Sequence, residues 1–408
     1  YDTLMQEVKE MKKVLSVFLI ICLLFPGIAL ADVQSQVNAP THITDTFQSN
    51  TGKTVINVDA DITVPSAEVL YLIPVKSTVF DDSMVSRLAD LIWPGLGSQK
   101  LKIEDENSTA SMEGRRQVNK YFRHSAYVMQ KGTRQRDIDA QAATSYYQYP
   151  SFDEPLDAGL SASVYYDDRY RQKKTVNYSS PYPAAEITED IAEHPLSLAQ
   201  AVAIGDQLMS ALTDQPFALF SVGKSRGYIP DDKLITEGRQ YDGTGFSYTL
   251  AYTRVINGAA LLPCYGALMN TSSFRDDLFV PAVGYEQVLL AVNREGQVTS
   301  FIWSSPYLIS DERTEQKLLP FENILAIARQ TLPLKYQVEE VRGESHLFVY
   351  RIALGYMAAL QRDTLEFALT PVWNFYGHDV PEDVHVGCRP LLTVNAVDGT
   401  VIDLEYGY

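Results

Sequence analysis

Two similar stretches decide the fold of this chain: LLAVNREGQV at residues 289–298 and LLTVNAVDGTV at residues 391–401. Each contains an apolar run, a short segment from asparagine to glycine, and a return to β-branched residues. This order is typical of a β-hairpin, because asparagine and glycine favour tight turns and the flanking apolar residues favour strands. The repeat therefore predicts a duplicated module in the second half of the chain.

Each copy of the repeat follows a predicted helix and a pair of predicted strands. Ser197 and Gln200 have the spacing of a capping box, and apolar residues at helical spacing continue to Leu212. The second predicted helix begins at Pro320 and ends at Pro333. A helix followed by antiparallel strands forms an α+β layer. We therefore predict two modules, each a helix plus an antiparallel sheet, at residues 191–310 and 311–408.

The residues before these modules predict an N-terminal α+β domain over 32–190. Residues 32–52 are polar and predict a flexible lead-in, whereas residues 53–64 alternate between apolar and polar and predict a strand with one wet face. We predict an amphipathic helix over 114–130 and a polar, tyrosine-rich loop over 135–157. The fold class expected for the whole chain is α+β.

The first 31 residues have the order of a Sec signal peptide. Lys12 and Lys13 precede an apolar run, and Ala29-Leu30-Ala31 has the small-residue pattern of a cleavage site. We expect cleavage after Ala31, export from the cytoplasm and no membrane span in the mature chain. The alternative is an uncleaved anchor, since the apolar run barely reaches membrane-spanning length.

Composition narrows the classes of partner. The formal net charge is -17, from 34 basic and 51 acidic residues. Because phosphate backbones repel such a chain, we expect no binding to nucleic acid. No motif indicates a cofactor, and we predict none.

The helix, the strand pair and the final hairpin together resemble the PepSY type of module, which occurs in peptidase propeptides and in extracytoplasmic regulators of envelope sensor kinases. The whole chain is also similar to a family of secreted bacterial proteins with a domain of unknown function and tandem PepSY-like modules. The resemblance implies binding to another protein, by inhibition of a peptidase or modulation of an envelope partner. It transfers no catalytic residues, and likeness of fold alone is a weak guide to function.

The densest set of possible metal ligands lies near the second hairpin. It comprises His378, Asp379, Glu382, Asp383 and His385. Zinc requires three or four such donors, but this spacing matches no established zinc pattern, so we interpret the segment as a solvated acidic loop and predict no metal site.

One other motif suggests catalysis, the G-x-S-x-G pattern of residues 223–227. A nucleophile elbow needs a helix after this motif, and Pro230 argues against that helix, so we interpret the segment as a basic hairpin turn. We predict no catalytic residues.

Tyrosines and cysteines supply the remaining candidates. Tyr146, Tyr147 and Tyr149 lie in the predicted loop and are candidate interface residues, because tyrosine combines an apolar ring with a polar tip. Cys264 and Cys388 are the cysteines beyond the leader; a disulfide between them and two separately buried thiols both remain open.

The function expected from the sequence is that of an exported, non-enzymatic protein that binds a protein partner in the cell envelope. The alternative is a cell-wall or carbohydrate binder that uses the tyrosine-rich surface. A hydrolase assembled from scattered residues is the third reading.

Overall fold

The computed structural model describes residues 32–92, 102–112, 115–130, 134–148, 155–167, 185–192, 194–226, 246–264, 285–294, 296–337, 345–361, 366–378 and 390–404. The described helices are α1 (Val33–Val37), α2 (Asp82–Ile92), α3 (Leu198–Leu212) and α4 (Phe321–Tyr336). The fold is a mixed α+β fold, mostly sheet, as the sequence predicts.

The strands of the first half are β1 (His42–Gln48), β2 (Thr54–Thr63), β3 (Leu70–Ser77), β4 (Lys102–Met112), β5 (Arg115–Gln130), β6 (Arg134–Gln148), β7 (Pro155–Asp167), β8 (Ala185–Glu186) and β9 (Phe217–Arg226). The strands of the second half are β10 (Phe246–Ile256), β11 (Ala259–Ala260), β12 (Gln287–Val292), β13 (Val298–Ser304), β14 (Tyr307–Ile309), β15 (Thr314–Gln316), β16 (Ser345–Gln361), β17 (Glu366–His378) and β18 (Pro390–Asn395).

The first sheet has ten strands in the order β4-β5-β6-β7-β13-β12-β10-β9-β8, with β11 beside β10. Helix α3 packs on β9, β10 and β12, toward the β8 end of this sheet. Ser197 and Gln200 form the predicted capping box at its N-terminus. At Gly205 a Cβ atom would collide with the Tyr252 hydroxyl and lie 2.6 Å from a methyl group of Leu250, so glycine lets this helix approach the sheet.

The second sheet has eight strands, mainly in the order β1-β2-β16-β17-β3-β14, with β18 beside β17 and β15 beside β3. Strands β2 and β16 pair in parallel, and the other pairs are antiparallel. Helix α4 packs against β1, β2 and β18. It continues through Pro333 to Tyr336, so the predicted end at Pro333 is wrong: buried Pro333 is part of the apolar face that packs on the sheet.

The repeated stretches occupy corresponding places in the two sheets. Residues 289–292 lie in β12, which pairs with β10, and residues 391–394 lie in β18, which pairs with β17. Both asparagines cap their turns: Asn293 Oδ1 accepts the Gln297 amide at 2.8 Å, and Asn395 Oδ1 accepts the Val397 amide at 2.9 Å. Gly296 and Gly399 follow at φ 74° and 79°, where glycine is favoured.

The two sheets pack back to back. One apolar core lies between α4 and the eight-stranded sheet, and a second lies between α3 and the ten-stranded sheet. A third core joins the other faces of the two sheets, through residues such as Ala251 and Leu289 on one side and Met357 and Val372 on the other. The layers therefore run helix, sheet, sheet, helix.

Strands β1 to β3 do not form a sheet of their own. Strand β2 pairs with β16, and β3 pairs with β17, so the N-terminal strands extend the C-terminal sheet. Strand β7 pairs with β13, which joins β4 to β7 to the other sheet. This pairing differs from the separate N-terminal domain predicted over 32–190, and its cause is physical: the meander of β16, β17 and β18 leaves strand edges whose backbone groups require partners.

Three local predictions in the N-terminal part are wrong, and one is confirmed. The predicted lead-in contains α1 and β1, the predicted helix over 114–130 is strand β5, and the predicted loop over 135–157 contains β6 and the start of β7. Pairing with the strands that precede and follow them decides these segments, because strand formation depends more on neighbours than on local preference. The alternation predicted for residues 53–64 is confirmed in β2.

Within the described ranges, no helix combines the length and the apolarity that a membrane crossing requires.

Candidate functional site

A buried ion pair lies in the core under α3. Arg254 Nη2 donates to Glu286 Oε1 at 2.5 Å, and their side chains are only 5% and 1% exposed. The Trp303 indole donates to the same carboxylate oxygen at 3.0 Å, and Arg254 Nη1 donates to the carbonyl of Tyr307 at 3.1 Å. The pair thus connects β10, β13 and the residue before β12 in the first sheet to β14 of the second sheet.

Burial raises the pKa of Glu286, and the Arg254 guanidinium and the hydrogen bonds at the carboxylate oppose that rise. Glu286 Oε2 and Arg254 Nε have no hydrogen-bond partner among the described residues. The rings of Phe80 and Phe217 pack edge-on against Trp303, with centroids 5.1 and 5.2 Å away. The pair is too deeply buried to meet a substrate, so its geometry suits a structural role.

A cluster of half-buried rings lies where the inner faces of the two sheets meet solvent. We call Phe220, Phe348, Tyr350, Arg351 and His378 the aromatic cluster. The imidazole of His378 stacks on Phe348 and on Tyr350, with centroid distances of 5.6 and 5.9 Å. The Arg351 guanidinium lies 5.0 Å from the Phe220 ring and 5.9 Å from the Tyr350 ring. The cluster joins β9 of one sheet to β16 and β17 of the other.

A polar surface continues from the aromatic cluster across β2 and β1. Phe348 is in register with Asn57, and further along the same face of β2 lie Asp59 and Asp61. His42 binds both carboxylates, with Nε2 2.9 Å from Asp59 Oδ1 and Nδ1 2.9 Å from Asp61 Oδ1. The hydrogen bond to Asp61, followed by that to Asp59, raises the pKa of His42 above its ordinary value of 6.5.

The residues predicted as possible metal ligands are only partly within the described ranges. His378 ends β17 within the aromatic cluster, and its buried Nδ1 has no hydrogen-bond partner among the described residues. Asp379, Glu382, Asp383 and His385 lie outside the described residues. Where side chains are described, no three histidine, cysteine or carboxylate residues come together in a metal-binding group.

The predicted tyrosine interface stays a prediction. Tyr146 and Tyr147 are residues of strand β6 and not of the loop that the sequence predicts, and Tyr149 lies outside the described residues.

Of the two cysteines beyond the leader, Cys264 lies within the described residues. Cys264 is buried between the two sheets, where its thiol lies 3.5 Å from the sulfur of Met357. Cys388 lies outside the described residues, so the choice between a disulfide and two separately buried thiols stays open.

The G-x-S-x-G segment is not the hairpin turn that the sequence predicts. Ser225 lies within strand β9, is buried, and has its hydroxyl 3.5 Å from the carbonyl of Ser247. A nucleophile at an elbow must have its hydroxyl exposed, whereas Ser225 is buried.

Sequence reasoning missed both the ion pair and the aromatic cluster. Arg254 offers a signal for the first, since a charged residue inside the apolar strand Phe246–Ile256 needs a buried partner. The second had no local signal, because Phe220 lies in a strand distant in sequence from the other four members.

No family model matches this chain, and no curated protein matches it. Among solved structures, the chain is similar to the crystal structure of an uncharacterized protein from Eubacterium rectale ATCC 33656, with 14% sequence identity and a TM-score of 0.48. The match covers 92% of this chain and 96% of that one.

Proposed function

We propose that this is an exported, non-enzymatic protein that binds a protein partner in the cell envelope, in a regulatory or inhibitory role. The aromatic cluster is the observation that carries the proposal. It is a group of rings and one guanidinium, half-buried at the margin between the two sheets, and two of its rings, Phe220 and Tyr350, pack against the third core.

The composition of this cluster suits an interface. Tyrosine, phenylalanine and arginine are enriched at protein interfaces, and a few such residues supply most of the binding energy. Arg351 is stacked on Phe220 and Tyr350, so its side chain is partly ordered before binding and loses less entropy on contact with a partner.

The surroundings of the cluster indicate the charge of the partner. The side chains of Asp59 and Asp61 are 80% and 86% exposed. Exposed charges at the rim of an interface mainly steer association and select partners. We therefore propose a partner that presents an apolar centre with basic groups around it.

The start of the fold is compatible with export by cleavage after Ala31. Asp32 caps helix α1, its Oδ1 accepting the Ser35 amide at 2.8 Å, and Val33 and Val37 are fully buried. Cleavage at the proposed site leaves these contacts intact. N-terminal sequencing of the exported protein tests this proposal: the sequence should begin at Asp32, and retention of the leader would contradict it.

Affinity capture from envelope extracts tests the binding proposal. The chain from residue 32 to residue 408 serves as bait beside Phe348→Ala and Arg351→Ala, with Leu334→Ala as control because Leu334 is an exposed apolar residue on α4. We expect one protein to be captured by the wild type and the control, and its yield to fall at least tenfold with either cluster variant. Circular dichroism confirms that each bait is folded.

Two outcomes would contradict the proposal. Absence of any specific partner together with clear turnover in an unbiased hydrolase screen would favour an enzyme. Sedimentation of the wild type with purified peptidoglycan, abolished by Phe348→Ala and not by Leu334→Ala, would favour the cell-wall alternative with the same cluster as its stacking surface.

A further inference from the structure

Strand β1 is the last strand of the eight-stranded sheet on one side. Its inner edge pairs with β2, and no strand among the described residues pairs with its outer edge. An uncovered strand edge presents backbone donors and acceptors that can pair with another chain. The features that prevent another chain from pairing with the outer edge of β1 therefore control whether the protein associates through this edge.

The register shows which residues present their backbone groups outward. The Ile62 amide donates to the Thr41 carbonyl, and the Ser49 amide donates to the Thr54 carbonyl, so the odd-numbered residues of β1 hydrogen-bond to β2. In an antiparallel ladder, alternate residues direct both backbone groups to the same neighbour. The outward-facing residues are accordingly His42, Thr44, Thr46 and Gln48.

A side chain blocks the middle of this edge. The Thr46 amide donates to Asp45 Oδ1 at 2.8 Å, which occupies one of the outward donors. The other oxygen of Asp45 accepts from Arg329 Nε at 2.9 Å and Nη2 at 2.6 Å. Arg329 belongs to helix α4, so the carboxylate is held in place by the helix beneath the sheet.

The chemistry of β1 would otherwise suit pairing with a second copy of itself. An antiparallel pair centred on residue 45 places Thr44 opposite Thr46 and His42 opposite Gln48, both without a clash of charge. In the same register Asp45 faces Asp45 of the other copy at a pair without hydrogen bonds, where side chains approach most closely. Like charges directly opposite each other destabilise a sheet.

We propose that the outer edge of β1 is a latent interface for a second copy of this chain, and that Asp45 keeps it closed. The carboxylate acts twice: it occupies the Thr46 amide, and it repels its counterpart in the symmetric register. This role is independent of the aromatic cluster and of any partner bound there.

The mass of Asp45→Thr in solution tests the proposal. Threonine favours strands and removes the charge, so we expect the weight-average mass, measured by light scattering after size exclusion, to rise to twice the wild-type value with concentration. Asp45→Asn provides a second variant of nearly the same size, and it too should associate because the like charges are gone. Circular dichroism and thermal melting establish that both are folded.

A proline control identifies the surface used. The Thr44 amide faces outward, so Thr44→Pro removes no bond to β2 but prevents strand addition. Added to Asp45→Thr, it should restore the wild-type mass. Folded Asp45→Thr and Asp45→Asn proteins that keep the wild-type mass at every concentration would overturn the proposal. So would a Thr44→Pro change that halves the mass of the otherwise wild-type chain, since the edge would then already be open.

Discussion

Removal of the Glu286 carboxylate should destabilise the fold strongly. In Glu286→Ala the guanidinium of Arg254 stays 95% buried with its charge unpaired, since its Nη2 loses the partner at 2.5 Å. Breaking a buried pair from one side typically costs about 3–5 kcal/mol. For a cooperative unit of 150–250 residues this corresponds to a fall in the melting temperature of roughly 6–20 °C.

Two further variants separate the charge from the hydrogen bonds. Glu286→Gln keeps an oxygen for the Trp303 indole but removes the charge, so it should lose most of the stability that Glu286→Ala loses. The double variant Arg254→Met, Glu286→Leu contains no buried charge. It leaves the Trp303 donor without its acceptor, which costs about 1–3 kcal/mol, so it should be more stable than Glu286→Ala alone.

Urea unfolding followed by tryptophan fluorescence measures these differences, because Trp303 lies in the core around the pair. The losses of unfolding free energy in the single variants Arg254→Met and Glu286→Leu should not add to the loss in the double variant, with a coupling of about 2 kcal/mol or more. If Glu286→Ala costs less than about 1 kcal/mol and the variants are additive, the pair is not the structural joint described above.

Three other predictions concern a close approach, a helix end and a surface histidine. Gly355→Ala should cost about 1–3 kcal/mol of unfolding free energy, because its Cβ would lie 2.5 Å from the Ala260 carbonyl oxygen; a variant as stable as the wild type would show that β11 can move aside. Ser197→Ala removes the cap of α3 and should cost about 1 kcal/mol in the same assay. NMR titration should give His42 a pKa above 6.5, and Asp61→Asn should bring it down towards that value. The stability that the charged imidazole adds is present below pH 6.5 and is lost as the pH rises through the raised pKa, so wild type and Asp61→Asn should converge at high pH.

The parts of the fold that were predictable from the sequence are those with a strong local pattern. The capping box at Ser197 and the alternation in β2 are present in the structure where the sequence places them. Strand β5 shows the limit of such reasoning. Its basic residues at positions 115, 116, 120 and 123 have the spacing of the polar side of a helix, yet it pairs with β4 over residues 115–125 and with β6 over residues 116–130 and is a strand. Strand formation here depends on the paired neighbours, which the pattern of β5 alone does not show.

The candidate site was predictable to a smaller extent. In the sequence, His378 is a candidate metal ligand because acidic residues and a second histidine follow it. In the structure its imidazole stacks on the rings of Phe348 and Tyr350 of the adjacent strand. Arg254 was passed over inside an apolar strand, although its charge implied a buried partner such as Glu286. A site formed by several strands requires the register, and the register is a property of the whole sheet.

The second sheet contains strands from the N-terminal and the C-terminal parts of the chain. During synthesis this sheet therefore cannot be completed until the C-terminal strands have been made. The backbone of Tyr71 donates to the hydroxyl of Tyr356, a partner 285 residues later in the chain. Strands β1 to β3 therefore leave the ribosome long before β16 and β17 exist to receive them. Until then β2 and β3 have open edges, and the closure of the second sheet waits for almost the last strands to be made. Strands β1 to β3 are thus made early and are among the last strands of this sheet to find all of their partners.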